Sequence, residues 1–127
     1  MNTINQDVID QLWNEACELA EKEQYIVTLK SRKKSPVIEI TNDYIRLQLE
    51  NGNSDAKIRK DHFVSVLGTL NDKKKIQQRD TKGTEERYVL GLMSMMPYFE
   101  RKVTGATPNY FITLRDELIQ KLLVNKV

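Results

Sequence analysis

Apolar residues first recur at helical spacing. Ile4, Val8, Leu12, Cys17 and Leu19, flanked by Ile9, Trp13, Ala16 and Ala20, make a broad stripe that predicts an amphipathic helix over residues 6–22. Asn5 suits its N-cap, and Asp7 and Asp10 suit the positive end of its dipole. The pattern then switches to alternation across residues 25–60. Tyr25-Ile26-Val27-Thr28-Leu29, Val37-Ile38-Glu39-Ile40-Thr41 and Tyr44-Ile45-Arg46-Leu47-Gln48-Leu49 are separated by turn-forming residues, which predicts an antiparallel meander with one wet face. In this reading Ile38, Ile40, Ile45, Leu47 and Leu49 face inward, and Val37, Glu39, Tyr44, Arg46 and Gln48 face outward. The first strand is apolar on both faces, as expected of a central strand or one covered by a helix.

Helical spacing returns with Phe63, Val66, Leu67 and Leu70, which predict a helix over 60–71. Residues 72–83 hold one apolar residue, Ile76, in twelve and read as a long polar loop. Thr84, followed by Glu85 and Glu86, marks the next helix start. Tyr88, Val89, Leu92, Met93 and Met96 form its stripe, and Pro97 ends it. Residues 98–103 fit a short strand or an extended connection equally well. Thr113 and Asp116 resemble a capping box for a last helix reaching about Val124, with Leu114, Leu118, Ile119, Leu122 and Leu123 as its stripe. The fold class that follows is α+β: an N-terminal helix, an antiparallel three- to four-stranded meander, then three helices packed on one sheet face.

Length and charge refine this picture. A chain of 127 residues suits one domain spanning 1–127, large enough to fold without disulfides or metals. The net charge of +2 conceals an uneven distribution. Residues 1–23 hold six acidic residues and one lysine, a net of −5; residues 24–90 hold fourteen basic and nine acidic residues, a net of +5. One cysteine, no signal-peptide pattern and no long apolar run lead us to expect a cytoplasmic protein that does not enter a membrane.

Motifs with a defined chemistry are scarce. Cys17 lies on an apolar helical stripe, far in sequence from the lone His62, so neither a Cys–His nucleophile nor a zinc site is expected. His62 reads as a solvated surface residue beside Asp61. There is no glycine-rich dinucleotide or phosphate loop, and no cofactor is expected. Trp13 and the Met93, Met95, Met96 group read as core at helical spacing. Asp43 with Asp55-Ala56-Lys57 loosely matches the acid and acid-x-Lys pattern of Mg-dependent nucleases. Asp is common in turns for its own hydrogen bonding, however, and a charged chain produces such spacings by chance, so this is a remote alternative.

The basic residues are the remaining signal. Lys30, Arg32, Lys33 and Lys34 fall in the first connection of the meander. Arg46, Lys57, Arg59 and Lys60 fall on strands or their ends. Lys73, Lys74, Lys75 and Arg79 fall in the polar stretch that follows. Converging on one rim, they would suit phosphates. The ordinary alternative is that charge runs are solvated loops and that Lys protects sheet edges. The expectation is a small non-catalytic nucleic-acid-binding protein, DNA ahead of RNA. The alternative is a protein-binding or inhibitory module, including a homodimer.

Overall fold

The computed structural model describes residues 6–29, 32–48, 55–73, 75–77, 86–104 and 109–115. The architecture is α+β with two antiparallel sheets and, among the described residues, three helices. Helix α1 (Gln6–Glu23) buries Val8, Leu12, Trp13, Ala16 and Ala20, the face expected from its spacing. It ends where Gln24 adopts a left-handed conformation (φ 66°) and donates its backbone N–H to Ala20 O at 2.9 Å. That turn leads straight into the first sheet, β1 (Tyr25–Val27), β2 (Lys34–Ile40), β3 (Tyr44–Gln48) and β4 (Asp55–Arg59), in the order β1-β2-β3-β4.

Pro36 is tolerated within β2 because of its register. Val37 N donates to Gln24 O at 3.0 Å, so the neighbouring Tyr25–Pro36 pair is one that exchanges no backbone hydrogen bond. Between Val37 and Glu39 the strand bulges. Val37 pairs with Leu47 and Ile40 with Ile45, three steps on β2 against two on β3. This corrects the inward set expected from strict alternation. Val37 and Ile40 pack against the core, while Ile38 points out and is 44% exposed. Ile45 and Leu47 are fully buried as expected, joined by Ile58 of β4; Leu49 lies outside the described residues.

Helix α2 (Lys60–Lys73) buries Phe63, Val66, Leu67 and Leu70. Trp13 crosses from α1 to meet it, its ring 5.4 Å from that of Phe63, and donates its indole N–H to Asn42 O in the β2–β3 turn at 2.9 Å. Buried polar groups need a partner, and this one lets Trp13 be core.

The second sheet was not expected. Residues 75–77, read as loop, form β5 (Lys75–Gln77), which pairs with β7 (Asn109–Leu114); β6 (Phe99–Thr104) pairs with the other side of β7. Ile76, the one apolar residue of that polar stretch, is fully buried opposite Ile112. Thr113, expected to cap a last helix, is instead a strand residue between Lys75 and Glu100. Residues 116–124 of that expected helix lie outside the described residues. Helix α3 (Glu86–Met95) touches β1 of the first sheet and β6 and β7 of the second, which explains why β1 is apolar on both faces although it is an edge strand. One core cluster joins residues of all three helices and both sheets. No described helix is long and apolar enough to cross a membrane.

Candidate nucleic-acid interface

Three of the expected basic residues share the wet face of the first sheet. Arg46 stands opposite Lys57, and Tyr44 opposite Arg59. Like charges directly across strands repel, and the sheet answers with carboxylates. Arg46 Nε donates to Asp55 Oδ2, and its Nη1 lies 3.4 Å from Glu39 Oε1. The hydrogen bond to Asp55, then that to Glu39, raises the Arg46 pKa. Tyr44 donates to the same Glu39 oxygen at 2.9 Å, which raises its own pKa, and Lys57 Nζ sits 4.6 Å over its ring. Three cations against Glu39 and Asp55 leave this patch a net of +1. Arg46 is therefore matched locally, and the face is a mixed-charge surface rather than a cationic one.

Other expected residues are dispersed. Lys60 donates to Asp10 Oδ1 at 3.1 Å and ties α2 to α1. That hydrogen bond holds the Asp10 carboxyl below its usual range. Lys73 is exposed at the end of α2, and Lys75 Nζ lies 5.6 Å over Phe111 on the second sheet. Lys30, Lys74 and Arg79 lie outside the described residues. His62 is half-buried on α2 rather than fully solvated.

The β1–β2 turn gathers more charge than its own sequence supplies. Thr28 N donates to Lys33 O at 3.0 Å, Arg32 N to Thr28 O at 3.1 Å, and Lys33 N to Thr28 Oγ1 at 3.2 Å. Arg32 takes a left-handed backbone (φ 58°), as a tight turn requires of one of its members. Its Nη1 donates to Ser94 Oγ at 2.6 Å, near the carbonyl end of α3, where a cation is favoured. Arg101 reaches in from β6, donates its Nε to Leu29 O at 2.7 Å, and lies 4.6 Å over the Tyr110 ring. Arg87, at the start of α3, accepts Leu29 N on its carbonyl oxygen at 3.3 Å. Lys34 Nζ sits 4.7 Å over Tyr25 beside the turn.

Arg32 and Arg101 thus meet at one turn, Arg32 donating to the Ser94 hydroxyl and Arg101 to the Leu29 carbonyl. The Arg32 pKa is lowered, first by partial desolvation and second by the charge of Arg101. Two guanidiniums brought this close form a candidate contact for an anion with several oxygens. Sequence reasoning found Arg32, Lys33 and Lys34 but missed Arg101 and Arg87. Nothing near Arg101 in the chain signals it, because its partner Leu29 is 72 residues away.

The nuclease-like acids are engaged differently. The Asp55 carboxylate holds Arg46, while the bond from Lys60 N at 2.8 Å engages the backbone carbonyl of Asp43 and not its carboxylate. Among the described residues, no three His, Cys, Asp or Glu side chains are grouped to hold a metal ion. Burial pushes the thiol of the half-buried Cys17 up to about 11, which keeps it protonated at neutral pH. Comparison with protein-family models, with curated proteins and with solved structures finds no match for the chain.

Proposed function

We propose that this protein binds nucleic acid, DNA in preference to RNA, without catalysing a reaction on it. The observation that carries the reading is the hydrogen bond from Arg101 to Leu29 O, which sets a β6 guanidinium beside Arg32, Lys33 and Lys34 of the β1–β2 turn. Lys57 and Arg59 lie beside Tyr44 toward the opposite end of the same sheet, where they would add a second, mixed-charge contact separate from the turn. Flexible lysines and anchored arginines favour backbone phosphates over base edges, so recognition in this reading tolerates sequence. A cytoplasmic setting accords with the single thiol.

The test is a fluorescence-anisotropy titration of a labelled oligonucleotide duplex across a salt series. Each phosphate neutralised contributes a slope of about −0.9 in log K against log salt. Arg32→Gln with Arg101→Gln should make that slope shallower by about 2 and weaken binding at low salt. No binding by the parent at low salt, or an unchanged slope in the double variant, overturns the proposal.

A second reading is a protein-binding module or homodimer. It is favoured by Ile38, 44% exposed beside the Glu39–Arg46–Asp55 ion-pair network, because mixed charge around an apolar contact suits a protein surface. Light scattering that gives a dimer mass lost in Ile38→Lys would support it over the first.

A further inference from the structure

A groove of about 250 Å³ lies between α1 and the turn joining α3 to β6. Glu15, Glu18, Leu19 and Lys22 share one helical face on its first wall, and Met96, Pro97 and Tyr98 form the second. The Tyr98 hydroxyl donates to Glu15 Oε1 at 2.8 Å. The other oxygen of that carboxylate, Oε2, is buried and has no hydrogen-bond partner among the described residues. An acceptor withdrawn from water without a donor is costly, and a charged one more so.

Glu15 is thus a groove-lining residue with one covered, unmet oxygen, set among apolar side chains (Leu19, Met96, Pro97), the Tyr98 hydroxyl and two further charges (Glu18, Lys22). The group that satisfies both features is a cationic donor on a short apolar stem. The local charge agrees, since Glu15 and Glu18 outweigh Lys22, and residues 1–23 carry a net of −5. The volume sets the size. It corresponds to about eight water molecules, below the roughly 300–1,000 Å³ of drug-sized pockets. We propose that this groove binds a small primary alkylammonium ion, its nitrogen on the Glu15 carboxylate and its alkyl stem against Leu19, Met96 and Pro97. The terminal torsion of Glu is soft, so a modest rotation turns Oε2 toward the groove while the carboxylate keeps the Tyr98 hydroxyl. This site is separate from the arginine cluster and does not depend on nucleic-acid binding.

The experiment is an NMR titration of the uniformly ¹⁵N-labelled full chain with n-butylammonium chloride, using n-butanol and sodium butyrate as controls at matched ionic strength. Saturable shifts of the Leu19, Met96 and Tyr98 amides are expected, with a Kd on the order of 1 mM. Butanol should bind at least about tenfold more weakly, and butyrate should not bind. Glu15→Gln keeps the size of the side chain and an acceptor for Tyr98, yet should lose about tenfold in affinity. Tyr98→Phe, a second variant at the opposite wall, should keep the preference for butylammonium over butanol because Glu15 retains its charge. Absence of saturable shifts, equal binding of butanol, or full affinity in Glu15→Gln overturns the proposal.

Discussion

Replacing Gly91 by alanine tests the central packing of this fold. Gly91 is buried in α3 where the helix crosses β1. A Cβ added there would stand 1.7 Å from Val27 O, 2.8 Å from Val27 C and 3.1 Å from Thr28 Cα. All three are backbone atoms, so no side-chain rotation relieves the overlap. The strand is also held in place, on one side by its pairs with β2 and at its end by Leu29 N donating to Arg87 O. Helix and strand must separate by more than an ångström, opening the core around Ile26 and Leu92. Overpacking costs about 1–3 kcal/mol and more when rigid parts collide; the backbone clash places this case at about 3. Alanine returns about 1 kcal/mol of helix propensity, leaving a net loss of about 2. With a urea m-value of about 2 kcal/mol/M, the unfolding midpoint should fall by about 1 M. Gly68 supplies the control. It lies in α2 with nothing within 4 Å of an added Cβ, so Gly68→Ala should gain up to about 1 kcal/mol from propensity alone. Urea melts of both variants, followed by circular dichroism, decide the matter. A Gly91→Ala midpoint equal to or above that of the parent would refute the claim that α3 and β1 meet backbone to backbone.

Two further outcomes follow from titratable groups. Burial, then the hydrogen bond to Glu15, raises the Tyr98 pKa from 10.0 to about 12. The folded state therefore holds this proton where the unfolded chain has released it, so the contribution is complete below pH 10 and is lost as pH rises from 10 to 12. Urea midpoints measured across that window should fall more steeply for the parent than for Tyr98→Phe, and parallel curves would contradict the assignment. Cys17, raised to about 11, should react with a disulfide reagent at pH 8 at least tenfold (about one decade) more slowly than in urea-unfolded protein, and equal rates would show it to be accessible.

Helices α1, α2 and α3 and strand β3 were legible in the sequence because their signals are local, whereas the helix expected from Thr113 opens on strand residues. Helical spacing over 6–22 and 60–71 falls within the observed α1 and α2, and the alternation of Ile45 and Leu47 gives the buried side of β3. The inward face of β2 was not legible. A bulge shifts every later side chain to the opposite face, and Val37-Ile38-Glu39-Ile40 reads equally well in either phase. Strand β5 was hidden for another reason. With one apolar residue in three, it has no period of its own and becomes a strand only because β7 pairs with it. The candidate site divides along the same line. The turn residues Arg32, Lys33 and Lys34 announce themselves as a basic run, whereas Arg101 joins them through a tertiary hydrogen bond. Arg46, which looked like a ligand for phosphate, is answered by Asp55 and Glu39, a balance set by strand register.

The pairing of β5 with β7 also sets an order of events during synthesis. In the first sheet β2, β3 and β4 are consecutive hairpin partners, so each can close a short loop as soon as it is made. The same is true of β6 and β7, whose Thr104 and Asn109 face each other across the connection. Ile76, by contrast, finds its partner Ile112 only after 36 further residues, with α3 lying between. Sequence separation alone favours closure of the β6–β7 hairpin before it pairs with β5, so Ile76, although it packs next to α2, lacks its partner Ile112 until β7, the last described strand, has been added.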